Sequence, residues 1–110
     1  MARYPEAKDF GHYTVDDTAG TLFSFAESGS PSSMPTGAKC FKGRVETAAI
    51  RIRLDGSAAS ATVGELISSG EDILLSETML NQASLIRDTG TSGVIQGHFY
   101  NVEVDVFLGA

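Results

Sequence analysis

Hydrophobic and polar positions alternate most cleanly from residue 41 to 56, where FKGRV is followed by ETAA and then IRIRLDG. Val45, Ile50, Ile52 and Leu54 fall on one side if both runs are strands. Lys42, Arg44, Arg51 and Arg53 fall on the other. The pattern predicts a hairpin centred on Thr47-Ala48. Its apolar face would cover a core and its basic face would meet solvent, as in a half-buried antiparallel sheet.

Shorter runs flank this segment. Tyr13 and Val15 begin a strand that ends in the turn 16–20. TLFSF, over 21–25, is apolar on both parities, which a bulge or an edge position accommodates. Residues 26–37 are rich in serine, proline and glycine and read as an extended loop. Asp55-Gly56 is a turn signal. VGELISS, over 63–69, admits one helical turn or a short strand. Further runs follow at 73–75, 80–87 and 94–100. In the last, 102–108, Val102, Val104, Val106 and Leu108 alternate with Glu103 and Asp105. Asn101 is either a turn or a bulge within one long bent strand. The expected core is Ile50, Ile52, Leu54, Val102, Val104 and Val106.

Turn signals recurring roughly every 8–12 residues between short strands predict an all-β domain, an antiparallel β-sandwich or small barrel. Only residues 66–81 compete as a helix, which would make the fold α+β. Residues 1–12 carry charge, Pro5 and Gly11 without a clear period, and read as an N-terminal arm before one domain over 13–110. Arm and loop offer little self-packing and are expected to contact neighbouring chains.

Composition narrows the function. At 110 residues the chain is long enough for one thin core. Eight basic against 14 acidic residues give a net charge of -6. That balance opposes nucleic acid as a partner, and no aromatic residues interleave with the arginines to stack bases. No run approaches a membrane span, and the first residues have no signal-peptide core. A soluble protein outside the ordinary secretory route is expected. Cys40 is the sole cysteine and cannot form an internal disulfide.

Candidate chemistry is sparse. Lys42, Arg44, Arg51 and Arg53 would stand within cross-strand reach in the expected hairpin. They form either a charge-paired solvated face, with Glu103 and Asp105 as neighbours, or an interface for an acidic partner. His12 and His98 lack ligand spacing for a metal with Asp16, Asp17 or Cys40. No serine sits in a Gly-x-Ser-x-Gly elbow, and Gly90 and Gly93 have neither the lysine nor the helix of a phosphate loop. No enzyme, cofactor or metal is expected.

One set of turns points further. Residues 49–56 (AIRIRLDG), 60–66 (SATVGEL), 69–71 (SGE) and 83–90 (ASLIRDTG), with a final stretch near Phe99-Tyr100, resemble small structural proteins of tailed phages. A strand ending in Asp-Gly, a small-residue loop leading to glycine, and an arginine before a Thr/Ser/Gly turn carry the likeness over roughly 38–100. The resemblance implies a jelly-roll-like β-sandwich that decorates a phage head. It implies the major capsid protein as partner, a homo-oligomer such as a trimer at local three-fold positions, and residence on the virion surface after synthesis in the host cytoplasm. The IR-x-x-LDG core also resembles Ig-like modules of carbohydrate-active enzymes. The alternative is therefore a small carbohydrate- or receptor-binding module, which needs exposed aromatic rings on one face. Tyr4, Phe10, Tyr13 and Tyr100 are the candidates. Tyr4 and Phe10 join the four basic residues as the candidate interface.

Overall fold

The computed structural model describes residues 5–107. Seven strands form two antiparallel sheets packed face to face: β1 (Ala7–Val15), β2 (Cys40–Glu46), β3 (Ile50–Arg53), β4 (Glu65–Ile67), β5 (Asp72–Ser76), β6 (Ser84–Arg87) and β7 (Gly93–Tyr100). Sheet A has the order β1-β7-β2-β5 and sheet B the order β4-β3-β6. The fold is an all-β sandwich. A short helix, α1 (Glu77–Gln82), begins at Ser76, whose hydroxyl accepts from the Met79 amide at 3.2 Å.

The expected hairpin is not formed. β2 pairs with β7 and β5, whereas β3 pairs with β4 and β6. Residues 47–49 carry the chain from one sheet to the other. Val45 and Ile50 both turn inward and are fully buried. An in-plane hairpin and an arch between sheets produce the same alternation, because alternation records which side faces the core and not which strand lies alongside. Thr47 takes φ 75° at the arch, the left-handed region that a β-branched residue seldom enters.

Ile50, Ile52 and Val102 are buried as expected. Leu54 lies beyond the end of β3 and is 37% exposed. The expected strand over 102–108 is absent from the described residues. β7 stops at Tyr100, and Val104–Val106 make a 3₁₀ turn, leaving Val104 and Val106 half-buried. Asn101 explains the stop. Its amide donates to the Glu6 carbonyl at 3.1 Å, and its side-chain carbonyl accepts from the Glu6 amide at 2.8 Å. Leu108 lies outside the described residues.

The expected arm is shorter than 1–12, because residues 7–12 are part of β1, paired with β7. Residues 1–4 lie outside the described residues. The loop 26–37 is irregular as expected, but it binds its own chain. The Glu27 amide donates to the His12 carbonyl at 3.0 Å, and the Ser30 hydroxyl accepts from the His12 amide at 2.9 Å. These bonds occupy the free edge of β1, which would otherwise be a template for strand addition. Met34 of the same loop packs on the core. The edge of β6 is covered similarly. Gly20 exchanges two backbone bonds with Leu85, and the Arg87 amide donates to the Asp16 carbonyl.

The core is aromatic on the sheet A side. Register aligns Gly11, Gly97 and Gly43 across β1, β7 and β2, all pointing inward. The Tyr13 ring covers Gly11 and the Phe41 ring covers Gly43. The two rings meet edge to face at 6.0 Å, and Phe99 packs against Phe41 at 4.9 Å. Side-chain-free positions on three adjacent strands thus make room for large rings from neighbouring positions.

Candidate binding faces

Splitting β2 from β3 splits the four basic candidates. Lys42 and Arg44 stand on the outer side of sheet A, Arg51 and Arg53 on the outer side of sheet B. They do not form one basic face. Each arginine has its own acid. Arg44 pairs with Asp72 at 3.1 Å, Arg51 with Asp88 at 2.8 Å and Arg53 with Asp55 at 2.5 Å. The acids expected on a neighbouring strand, Glu103 and Asp105, lie in the segment after β7 instead. In the Arg53–Asp55 pair, the hydrogen bond with the guanidinium holds the Asp55 carboxyl below its ordinary value. Arg51 also donates to the Gly64 carbonyl at 3.1 Å, tying β3 to the loop before β4. Among the described residues, no acid pairs with Lys42.

The outer side of sheet A has a map set by register. One row runs Phe10, His98, Lys42 and Leu74 across β1, β7, β2 and β5. The next runs His12, Gln96, Arg44 and Asp72. Phe10 is 43% exposed. Its ring meets His98 edge to face at 5.0 Å. His98 lies 6.1 Å from Tyr100, and Tyr100 lies 4.9 Å from Phe107. Four rings therefore form a continuous surface cluster. Of the aromatic candidates, Phe10 and Tyr100 join it, Tyr13 is buried in the core, and Tyr4 lies outside the described residues. His98 and Phe107 were missed. The alternation of VIQGHFY already places His98 with Tyr100, but only the β1–β7 register brings Phe10 beside them.

Cys40 begins β2 on this same side, yet it is fully buried. Burial raises its thiol pKa, and nearby Glu103 raises it further, so the sulfur stays protonated and unreactive.

The outer side of sheet B is aliphatic. Leu66, Arg51 and Ile86 stand in a row across β4, β3 and β6. Leu66 is 45% exposed, and Val63, just before β4, is 51% exposed. Between Gly20–Thr21, Gly56–Ala58 and the junction of α1 with β6 at Asn81–Ser84 lies an open cleft of about 420 Å³, lined by small residues and two carboxamides. Among the described residues, no helix is long and apolar enough to cross a membrane. No three His, Cys, Asp or Glu side chains among them converge as a metal group would require.

The chain matches no family model, no curated protein and no solved structure. Fold and faces together define a β-sandwich with two chemically different outer sides, one aromatic with a lone ammonium group, the other aliphatic with neutralised arginines.

Proposed function

We propose that the chain is a non-enzymatic structural component of a tailed-phage virion that binds the outside of the capsid lattice and stabilises it. One observation carries this reading. The segments that bear the resemblance, 49–56, 60–66 and 83–90, supply the strands of sheet B, whose outer row runs from the exposed Leu66 through Arg51 to the half-buried Ile86, and Val63 is exposed just before β4. Exposed apolar side chains on a short sheet are the raw material of a protein contact. The major capsid protein is the partner in this reading, and a homo-oligomer, a trimer around local three-fold positions, is its assembly. A jelly-roll-like relationship and a place on the virion surface belong to the same proposal.

Co-sedimentation of the purified chain with isolated capsids tests it. Wild type should sediment with capsids, and Leu66→Ser with Val63→Ser should largely abolish this while the fold persists. Undiminished sedimentation of the double variant would remove sheet B from the contact, and failure of the wild type to bind would sink the reading.

A small carbohydrate- or receptor-binding module is the second reading. It is favoured by the gathering of Phe10, His98, Tyr100 and Phe107 on the outer side of sheet A.

A further inference from the structure

Lys42, like Lys39, meets no acid among the described residues, but Lys42 stands in the middle of a sheet face. It stands mid-strand, in register with His98 on one side and Leu74 on the other. Its neighbours in the next row are already occupied. Arg44 is bonded to Asp72 at 3.1 Å, and the Gln96 amide donates to Glu46 at 2.8 Å. Arg51, Arg53 and Arg87 each have an aspartate nearby as well. In a chain of net charge -6, acids are plentiful, yet none of the described ones meets this ammonium group.

The surroundings of Lys42 specify more than a bare anion. Phe10 and His98 lie in the same row, with rings 5.0 Å apart, and Tyr100 follows His98 at 6.1 Å. Strands lie about 4.8 Å apart, so the row from Phe10 to Leu74 extends roughly 14 Å. Aromatic faces take up the C–H side of a sugar ring, and an ammonium group takes up a carboxylate. Arg44 and Gln96 keep further donors and acceptors for hydroxyl groups in the row beside them. Protein hot spots sit in packed pockets that exclude water. These side chains instead stand on an open sheet face, along which an extended chain can lie.

We propose that the outer side of sheet A binds a carboxylate-bearing polysaccharide. A sugar ring rests on Phe10 and His98, and the carboxylate of the same or the adjoining sugar meets Lys42. The inference deepens the carbohydrate-binding reading and rests on it. It does not depend on docking through sheet B, which is the opposite side of the sandwich.

The test is an NMR titration of the isotope-labelled full chain with three probes: hexagalacturonate, maltohexaose and a hexaglutamate peptide. Hexagalacturonate should shift the amide signals of Phe10, Lys42 and His98. Lys42→Ala and Phe10→Ala should each weaken it about tenfold or more, a loss near 1.4 kcal/mol, and Lys42→Arg should restore much of the affinity. Both side chains are solvent-exposed, so the variants should keep the dispersed spectrum of a folded protein. Equal binding of maltohexaose, indifferent to Lys42→Ala, would overturn the anionic specificity and leave the carbohydrate reading standing. Hexaglutamate binding in place of the sugar would overturn the proposal in favour of an acidic protein segment. If neither sugar moves these signals, the inference and the carbohydrate reading both fall.

Discussion

The Tyr13 hydroxyl donates to the Pro31 carbonyl at 2.9 Å, joining the aromatic core of sheet A to the loop that covers its edge. One residue thus serves two levels of the structure. Its ring covers Gly11 and packs on Phe41, and its oxygen fixes the path of the loop.

Tyr13→Phe keeps the ring and removes the bond. Stability should fall by about 1 kcal/mol in urea unfolding. Amide exchange over 27–31 should accelerate more than exchange in β7. Burial raises the Tyr13 phenol above its ordinary value, with Asp9 adding to the effect. The folded state therefore holds this proton more tightly than the unfolded state does. The associated stability is complete below the ordinary tyrosine pKa of about 10 and is lost as pH rises above it. Tyrosinate absorbance should show a late phase, and Tyr13→Phe should remove it.

Thr47 at the arch is a second test. A side chain in the left-handed region costs about 1–2 kcal/mol, partly offset in a glycine variant by the greater freedom of the unfolded chain. Thr47→Gly should therefore stabilise the protein by roughly 0.5–1 kcal/mol in thermal or denaturant unfolding. A loss of stability would show that the threonine side chain contributes a contact outweighing the strain.

The glycine row makes a paired prediction. A methyl group at Gly97 would run into the Lys42 carbonyl and the Gly43 Cα, which are backbone atoms that cannot step aside. Gly97→Ala should cost about 3 kcal/mol or more. Gly90→Ala, with nothing within 4 Å of the added carbon, should change stability by less than about 0.5 kcal/mol.

The arginines should differ by setting and not by charge. Arg44 and Asp72 are mostly exposed, at 60% and 57%, so Arg44→Ala should cost about 0.5 kcal/mol or less. Arg51 and Asp88 are at 25% and 20%, and Arg51 also holds the Gly64 carbonyl. Arg51→Ala should cost on the order of 1.5–3 kcal/mol. Arg51→Glu would set two carboxylates together, so reversing this charge reports on folding. For that reason the docking test uses Leu66 and Val63.

Much of the inward-facing set was legible in the sequence, because burial imposes a period of two on a strand whatever its partners. Val45, Ile50, Ile52 and the run 94–100 were readable on that ground. Strand partnership was not. The residues that decide it, Thr47 at the arch and Asn101 at the end of β7, act through one dihedral angle and one carboxamide, neither of which leaves a periodic trace. Valines at 102, 104 and 106 imitate a strand, but the bonds between Asn101 and Glu6 end the ladder before them. The candidate faces were legible only in part. Lys42 and Phe10 both stood in the expected interface, but nothing in the sequence put them in one row, which exists because β7 lies between β1 and β2. The basic cluster failed for the same reason in reverse, since neighbours in sequence were assigned to opposite sides.

The pairing of β1 with β7 has a consequence in time. β1 waits for β7, so on a ribosome β1 has no ladder partner among the described strands until residues 93–100 have been made. Until then, among the described residues, the backbone partners of β1 come from the loop after it. Sheet A can close only after residues 93–100 have been made, through contacts between residues that are mostly more than 80 positions apart in sequence. Refolding should accordingly be slow for so small a protein, on the millisecond-to-second scale of non-local β topologies. A chain that stalls before residue 93 should remain open to proteases that spare the finished molecule.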